Sequence, residues 1–157
     1  MSELNIRDAT TEDLPALVAL LADDEKGRFR EDAGGALDPG YIEAFAAIAA
    51  DPNQRLLVAV QDDRIVGTFQ LSFLPGLSFK GAWRGQIEAV RVAGDLRGQG
   101  LGRVMIEWAI ERCRERSCRM VQLTTHKSRE RAHAFYDRLG FERSHIGMKL
   151  HLSDRDV

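Results

Sequence analysis

Ile87-Glu88-Ala89-Val90-Arg91-Val92, four residues further Arg97-Gly98-Gln99-Gly100-Leu101-Gly102, and then a helical pattern opening near Arg103: this stretch decides how the rest of the chain is read. The first six residues are strand-like, with β-branched Val90 and Val92 at alternate positions. Glycines then fall at every second position, at 98, 100 and 102. A glycine has no Cβ to block a close approach or to forbid positive φ, so successive N–H groups at a helix start can turn toward one anion. The unbonded donors of a first helical turn and the positive end of the helix dipole converge there, and Arg97 and Arg103 can add charge-assisted contacts. The loop reads as a pyrophosphate cradle. A flexible turn between strand and helix is the plainer reading of the same glycines.

Spacing separates the phosphate-binding patterns that compete for such a loop. A Walker loop needs Gly-Lys-Ser or Gly-Lys-Thr, which this chain lacks. A dinucleotide fingerprint needs Gly-x-Gly-x-x-Gly and an acidic residue about 20 positions on. Here the third glycine comes one residue early, and the distant positions hold Cys118, Arg119 and Met120. Downstream, Leu101, Val104, Met105, Trp108 and Ala109 form an i, i+3, i+4, i+7, i+8 stripe. The spacing predicts an amphipathic helix to about Arg116, with Arg103, Glu107, Glu111 and Glu115 toward water. The pattern that does fit is Gln/Arg-x-x-Gly-x-Gly/Ala after a Val-x-Val strand, filled by Arg97, Gly100 and Gly102. It resembles the acetyl-CoA signature of the GNAT superfamily of N-acetyltransferases.

The whole chain is consistent with one α/β (α+β) domain over residues 1–157, with 44% apolar against 29% charged residues. No stretch approaches the ~18–20 apolar residues of a membrane span, and the opening residues lack the apolar core of a secretion signal. A cytoplasmic protein that engages no membrane is expected. A formal net charge of −2 without a basic run removes the positive footprint of a nucleic-acid binder. Cys113 and Cys118 lack a CxxC pattern, and the four histidines lack metal-ligand spacing, so reduced thiols and no metal are expected.

Along the chain, Asn5-Ile6-Arg7 reads as a strand, and Thr10 or Thr11 caps a helix through Leu21 with Pro15 in its first turn. Residues 23–40 lose periodicity and contain Gly34-Gly35 and Pro39-Gly40, predicting a long loop or broken helix. A second helix is expected over Tyr41 to Ala50. A hairpin follows, from Leu56–Val60 and Ile65–Leu74 around Asp62-Asp63. Gly76, Gly81 and Gly85 break the pairing before the Glu88 strand. Met120 to Thr125 is a further strand, a helix follows it, and Phe141 to Leu152 supplies one or two closing strands. The order βααβββαβαβ, with or without a last β, is close to the GNAT topology: a central mixed, mostly antiparallel sheet flanked by helices.

Ala132-His133-Ala134-Phe135-Tyr136-Asp137-Arg138-Leu139-Gly140-Phe141 resembles that family's Ala-x-x-x-Tyr-x-x-x-Gly-Phe block. The resemblance implies that Tyr136 acts as an acid toward the leaving thiolate. The same residues also form a helical packing stripe closed by Gly140 at C′, and the two roles are compatible. An alkylammonium, with a pKa near ~10, must lose its proton before its nitrogen attacks a thioester. Glu88 is the candidate base. Strand alternation places it on the same pleat face as Val90 and Val92, and many GNAT enzymes carry a glutamate just before this strand. A salt bridge to a nearby arginine is the alternative role for Glu88.

By resemblance, main-chain groups of Val90, Arg91 and Val92 bind the pantetheine arm, while Arg97, Gly98, Gln99, Gly100, Leu101, Gly102 and Arg103 hold the pyrophosphate. Where the family often carries a cofactor-contacting asparagine, this chain has Arg129. Arg129, with Lys127 and Arg131, offers charge to the outer phosphate or simply forms a solvated basic helix start. Acetyl-CoA is the implied cosubstrate and a primary amine, favoured as a small molecule, the implied acceptor. A CoA-binding regulatory module without transfer activity is the rival reading. Many members of the family pair as dimers, which makes a homodimer an open expectation. The acidic residues Asp23, Asp24, Glu25, Glu31 and Asp32 either attract a cationic acceptor or form a solvated loop.

Overall fold

Asp62 and Asp63 both take positive φ, 50° and 60°, and so turn β2 (Gln54–Gln61) directly into β3 (Arg64–Leu74). A two-residue loop with both central residues left-handed matches the twist of the strands it joins, and aspartate tolerates that conformation. The computed structural model describes residues 2–24, 27–31 and 34–153. β1 (Asn5–Asp8) pairs with β2, and β4 (Arg84–Val92) with β3, all antiparallel. β5 (Met120–Leu123) adds parallel to β4, completing a five-stranded sheet in the order β1-β2-β3-β4-β5. The mixed, mostly antiparallel sheet flanked by helices is the expected fold class.

Alternation along β2 divides the core. Leu57 and Ala59 point to one face with Phe69, Leu71, Phe73 and Ile87, where α5 (Leu101–Glu115) packs Met105, Ile106, Ala109 and Cys113. Val58 points to the other, against Leu14 and Leu17 of α1 (Leu14–Ala22) and Phe45 of α3 (Pro39–Ala50). α5 lies close because β4 carries Gly85, where a Cβ would collide with the Cys113 sulfur. The α5 stripe is therefore Met105, Ile106, Ala109 and Cys113, whereas Val104, expected in it, is 45% exposed.

Caps set the helix starts. Thr10 and Asp13 form a capping box over a 3-10 turn at Thr11–Asp13 that leads into α1, as the sequence predicts. Among the described residues between 23 and 38 one helical turn forms, α2 (Gly27–Arg30), within the stretch expected as a long loop or broken helix. α3 begins at Pro39, two residues before the expected start. The Asp38 side chain accepts from the Gly40 N–H at 2.7 Å and Pro39 occupies the first turn, so a pair read as a loop signal is a helix entry. The single turn α4 (Ser78–Gly81), with Phe79 and Lys80 left-handed, precedes β4, which starts at Arg84, before Gly85 rather than after it.

α6 (Glu130–Arg138) ends in the predicted cap. Gly140 takes φ 92°, its N–H bonds the Asp137 carbonyl at 3.0 Å, and the Phe141 N–H bonds the Tyr136 carbonyl at 3.1 Å. The closing strands expected over Phe141 to Leu152 do not form. A strand needs a hydrogen-bonded neighbour, and among the described residues none of the chain's own strands pairs with that segment.

Candidate active site

A bulge in β4 organises the site. Thr68 pairs with Arg91 and Gln70 with Glu88, so β4 holds one more residue than β3 across this interval, and Ala89 takes φ 52°. The extra residue reverses the alternation. Ile87 lies in the α5-side core and so do Val90 and Val92, while Glu88 stays with Gln86 on the opposite side. The expectation that Glu88 shares a face with Val90 and Val92 is corrected by this bulge. β5 pairs with Arg84–Ile87 of β4, and its ladder stops short of Glu88 to Val92. β4 and β5 therefore part where the bulge begins, and the main chain of Val90, Arg91 and Val92 lines the gap.

The glycine loop stands at the end of that gap. Gly98 and Gly100 take φ 79° and 85°, with open space where a Cβ would project. Gly100 is the N-cap of α5, and the N–H groups of Leu101, Gly102 and Arg103 occupy the first turn, which has no intrahelical acceptors for them. Gly102 packs under Phe135 of α6, where a Cβ would approach the ring to 3.4 Å. Three left-handed or tightly packed backbone positions thus leave convergent amides at a helix N-terminus, an arrangement that fits a pyrophosphate. Gln99 is exposed on the loop. The Arg97 side chain donates to the Asp23 carbonyl at 2.9 Å, fastening the loop to the end of α1, and Arg103 pairs with Glu107 at 2.7 Å on the exposed helix face.

Tyr136 projects from α6 between Phe135 and Phe141, with ring centroids 5.1 and 5.7 Å away. Burial pushes its hydroxyl above the ordinary phenol value, against the opposing pull of the Arg91 and Arg129 guanidiniums. Those two arginines meet at Asp24, the residue sequence reasoning placed in a loop. Arg129 Nη2 donates to Asp24 Oδ2 at 3.0 Å, Arg91 Nε lies 3.3 Å from the same oxygen, and the Gly27 N–H donates to Oδ1. Burial opposes the charge on Asp24, but the Gly27 bond and the two guanidiniums outweigh it and hold the carboxyl below its usual range. Of the remaining acidic candidates, Asp23 faces Arg97 and Glu31 accepts from the Tyr41 hydroxyl, while Glu25 and Asp32 lie outside the described residues. The described members thus meet separate partners.

On the other side of the bulge an open cleft of about 640 Å³ is walled by the end of α3, at Ile48 and Asp51, and floored by β2, β3 and β4. Its floor is polar: Gln54, Gln70, Ser72, Gln86 and Glu88. Gln54 Oε1 accepts from Ser72 at 2.7 Å and from Gln70 at 3.1 Å, and Gln122 of β5 donates to Gln86 at 2.6 Å. Glu88 is exposed to this cleft and makes no ion pair among the described residues. The cleft glutamines escaped the sequence reading, although polar residues two apart at Gln70 and Ser72, and at Gln86 and Glu88, were a legible signal of one polar face within otherwise apolar strands. Among the described residues no three His, Cys, Asp or Glu side chains gather as metal ligands, and no helix is long and apolar enough to cross a membrane.

The model of the acetyltransferase (GNAT) family matches residues 16–141, from α1 through the cleft and cradle to Phe141. The chain belongs to the GNAT family. It is an N-acetyltransferase by that membership. This GNAT domain is 31% identical over 146 residues to the aminoalkylphosphonate N-acetyltransferase of Salmonella typhimurium, covering 93% of this chain and 90% of that protein. It is 37% identical over 89 residues to the glucosamine 6-phosphate N-acetyltransferase of Trypanosoma brucei brucei, covering 57% and 58% of the two chains. Among solved structures, a transcriptional regulator from Bacillus halodurans superposes with a TM-score of 0.92 at 46% identity, covering 96% of this chain and all of that one.

Proposed function

We propose that this GNAT domain transfers the acetyl group of acetyl-CoA to the primary amine of a small molecule, by direct attack within a ternary complex. The observation that carries the reading is the β4 bulge. It puts Glu88 in an open polar cleft on one side and carries Val90 to Val92 past the end of the β5 ladder, beside the glycine cradle, on the other. Acetyl-CoA supplies an activated acetyl carbonyl and a thiolate leaving group. Main-chain amides of Gly98 to Arg103 grip its pyrophosphate, the stretch Val90, Arg91 and Val92 beyond the β5 ladder aligns its extended arm, and Arg129 stays with Asp24 rather than reaching for the outer phosphate.

In the cleft, Glu88 accepts a proton from the acceptor's ammonium, through water where the reach requires it, leaving a nitrogen lone pair to attack the carbonyl carbon. The C–N bond forms, the nitrogen gives up its second proton to water, the C–S bond breaks, and Tyr136, kept protonated by burial, passes its proton to the departing sulfur and regains one from solvent. The relatives' acceptors, an aminoalkylphosphonate and glucosamine 6-phosphate, are small primary amines and support the same class here. No cysteine is needed: Cys113 is sealed in the core and burial pushes its thiol up to about 12. A panel of primary amines assayed for acetyl-CoA-dependent thiol release tests the reading. Release with at least one small amine, abolished in Glu88→Gln, is expected; CoA binding without release across the panel would favour a regulatory module.

A further inference from the structure

Strand register lines up four polar side chains across four strands. Gln54 of β2 stands opposite Ser72 of β3, Ser72 opposite Gln86 of β4, and Gln86 opposite Gln122 of β5. At ~4.8 Å per strand the row runs about 14 Å across the sheet. Hydrogen bonds join it in pairs: Ser72 donates to Gln54 Oε1 at 2.7 Å, and Gln122 donates to Gln86 Oε1 at 2.6 Å. Those bonds occupy the carbonyl ends of Gln54 and Gln86, and among the described residues no hydrogen bond engages the Nε2 of either.

The same face of the sheet is apolar at Leu56 and Val58, under α1 and α3, and turns polar where the cleft opens. Ser72 is only 5% exposed, so the row is the floor of a groove rather than a free surface. Half-buried amides lose free energy when a ligand covers them without meeting their donors and acceptors. A hydroxyl can do both, and an alkyl chain can do neither.

Charge in the cleft has one sign. Glu88 stands opposite Gln70, two residues along β4 from the row, a span of about 7 Å. Asp51 closes the wall as the C-cap residue of α3, where the negative end of the helix dipole adds to its carboxylate. None of the described residues lining the cleft is Lys, Arg or His. Two carboxylates and a helix C-terminus draw a cation into this space and repel an anion from it.

We propose, resting on the acetyl-transfer reading above, that the cleft selects a hydroxyl-bearing amine with no phosphate or other anionic group. The reacting ammonium lies at Glu88, and hydroxyls of the same sugar-sized molecule bond Gln54, Ser72 and Gln86, with Gln122 orienting Gln86. The cleft thus departs from the two relatives, whose acceptors carry a phosphonate or a phosphate. Those anions would meet the Asp51 and Glu88 carboxylates with no cation among the lining residues to offset them.

Calorimetry on the full chain with CoA present, using matched amines, reads this selection apart from transfer. Glucosamine is titrated against glucosamine 6-phosphate and against cyclohexylamine, and ethanolamine against phosphoethanolamine and ethylamine. Each hydroxylated amine is expected to bind at least about tenfold more tightly than its phosphorylated or hydroxyl-free counterpart. Raising the salt should shrink the first ratio and spare the second, because only the first is electrostatic. Gln86→Leu and Gln54→Leu should each lower the second ratio below about threefold while the first persists. Equal or tighter binding of the phosphorylated or the hydroxyl-free amines, a phosphate ratio indifferent to salt, or no saturable binding of either hydroxylated amine would each overturn the proposal. Thiol release measured on the same pairs separates the two readings. Selective binding without release would sink the transfer reading and leave the cleft's selectivity standing; release without selectivity would do the reverse.

Discussion

Arg129, at the entry to α6, donates to Asp24 at 3.0 Å across 105 positions of sequence, and so binds the segment after α1 to the helix that carries Tyr136. Arg91 of β4 closes on the same carboxylate at 3.3 Å, so three elements around the cofactor gap share one anion. Asp24 is mostly buried and Arg129 a third exposed, which makes the pair worth more than a surface bridge and less than a fully buried one.

Asp24→Asn should therefore destabilise the fold by roughly 1–3 kcal/mol and weaken acetyl-CoA binding. The sign with pH follows from its depressed carboxyl. The stabilisation is complete above the ordinary aspartate value and is lost as pH falls through the lower folded value. Urea midpoints of the parent and the variant should converge as the solution is acidified, and a constant gap down to pH 2 would contradict the pairing.

Glu88→Gln keeps the cleft's shape and removes the proposed base. A fall in kcat of about 10²–10⁴-fold with acetyl-CoA affinity unchanged is expected, read by steady-state kinetics and calorimetry. Raising pH until the acceptor amine is free should narrow the deficit, because the proton Glu88 would take has already left.

Tyr136 is held protonated by burial, so the alkaline limb of kcat should lie above the ordinary phenol value of ~10. In Tyr136→Phe that limb should vanish and kcat should drop by about 10-fold or more, with the thermal midpoint little changed because the ring contacts persist. An unaltered pH profile would remove the hydroxyl from the reaction.

Two glycines separate cradle from core. Gly100→Ala forces a side chain into φ 85° with open space around it, so the cost is backbone strain of about 1 kcal/mol, and distortion of the amides should weaken CoA binding. Gly67→Ala instead drives a Cβ within 2.7 Å of the Met105 sulfur, an overpacking that should cost about 1–3 kcal/mol while leaving the dissociation constant for CoA close to the parent's.

Elements defined by near neighbours were legible in the chain itself. The Asp62-Asp63 hairpin, the Thr10 cap, the α5 start at the glycines and the Gly140 cap each depend on a few consecutive residues whose sterics and hydrogen bonds act locally. The Glu88 side was misread because strand alternation assumes an unbroken ladder, and the bulge at Ala89 arises from how β4 pairs with β3, not from any feature of Ala89 alone. The meeting of Asp24 with Arg91 and Arg129, and the glutamine floor of the cleft, also join residues from distant segments, a proximity that no local pattern contains.

By itself the sequence determined the repertoire: the periods of helices and strands, the glycine loop at a helix start, the tyrosine block, and a last segment patterned as a strand. Those properties reside in short stretches of backbone and are fixed by local sterics and side-chain spacing. Only the tertiary structure decided which side of the sheet Glu88 faces, which charges Asp24 gathers, and that, among the described residues, the segment after Phe141 pairs with no strand. Each of these depends on register and packing between distant elements, where one extra residue in a ladder reverses a face.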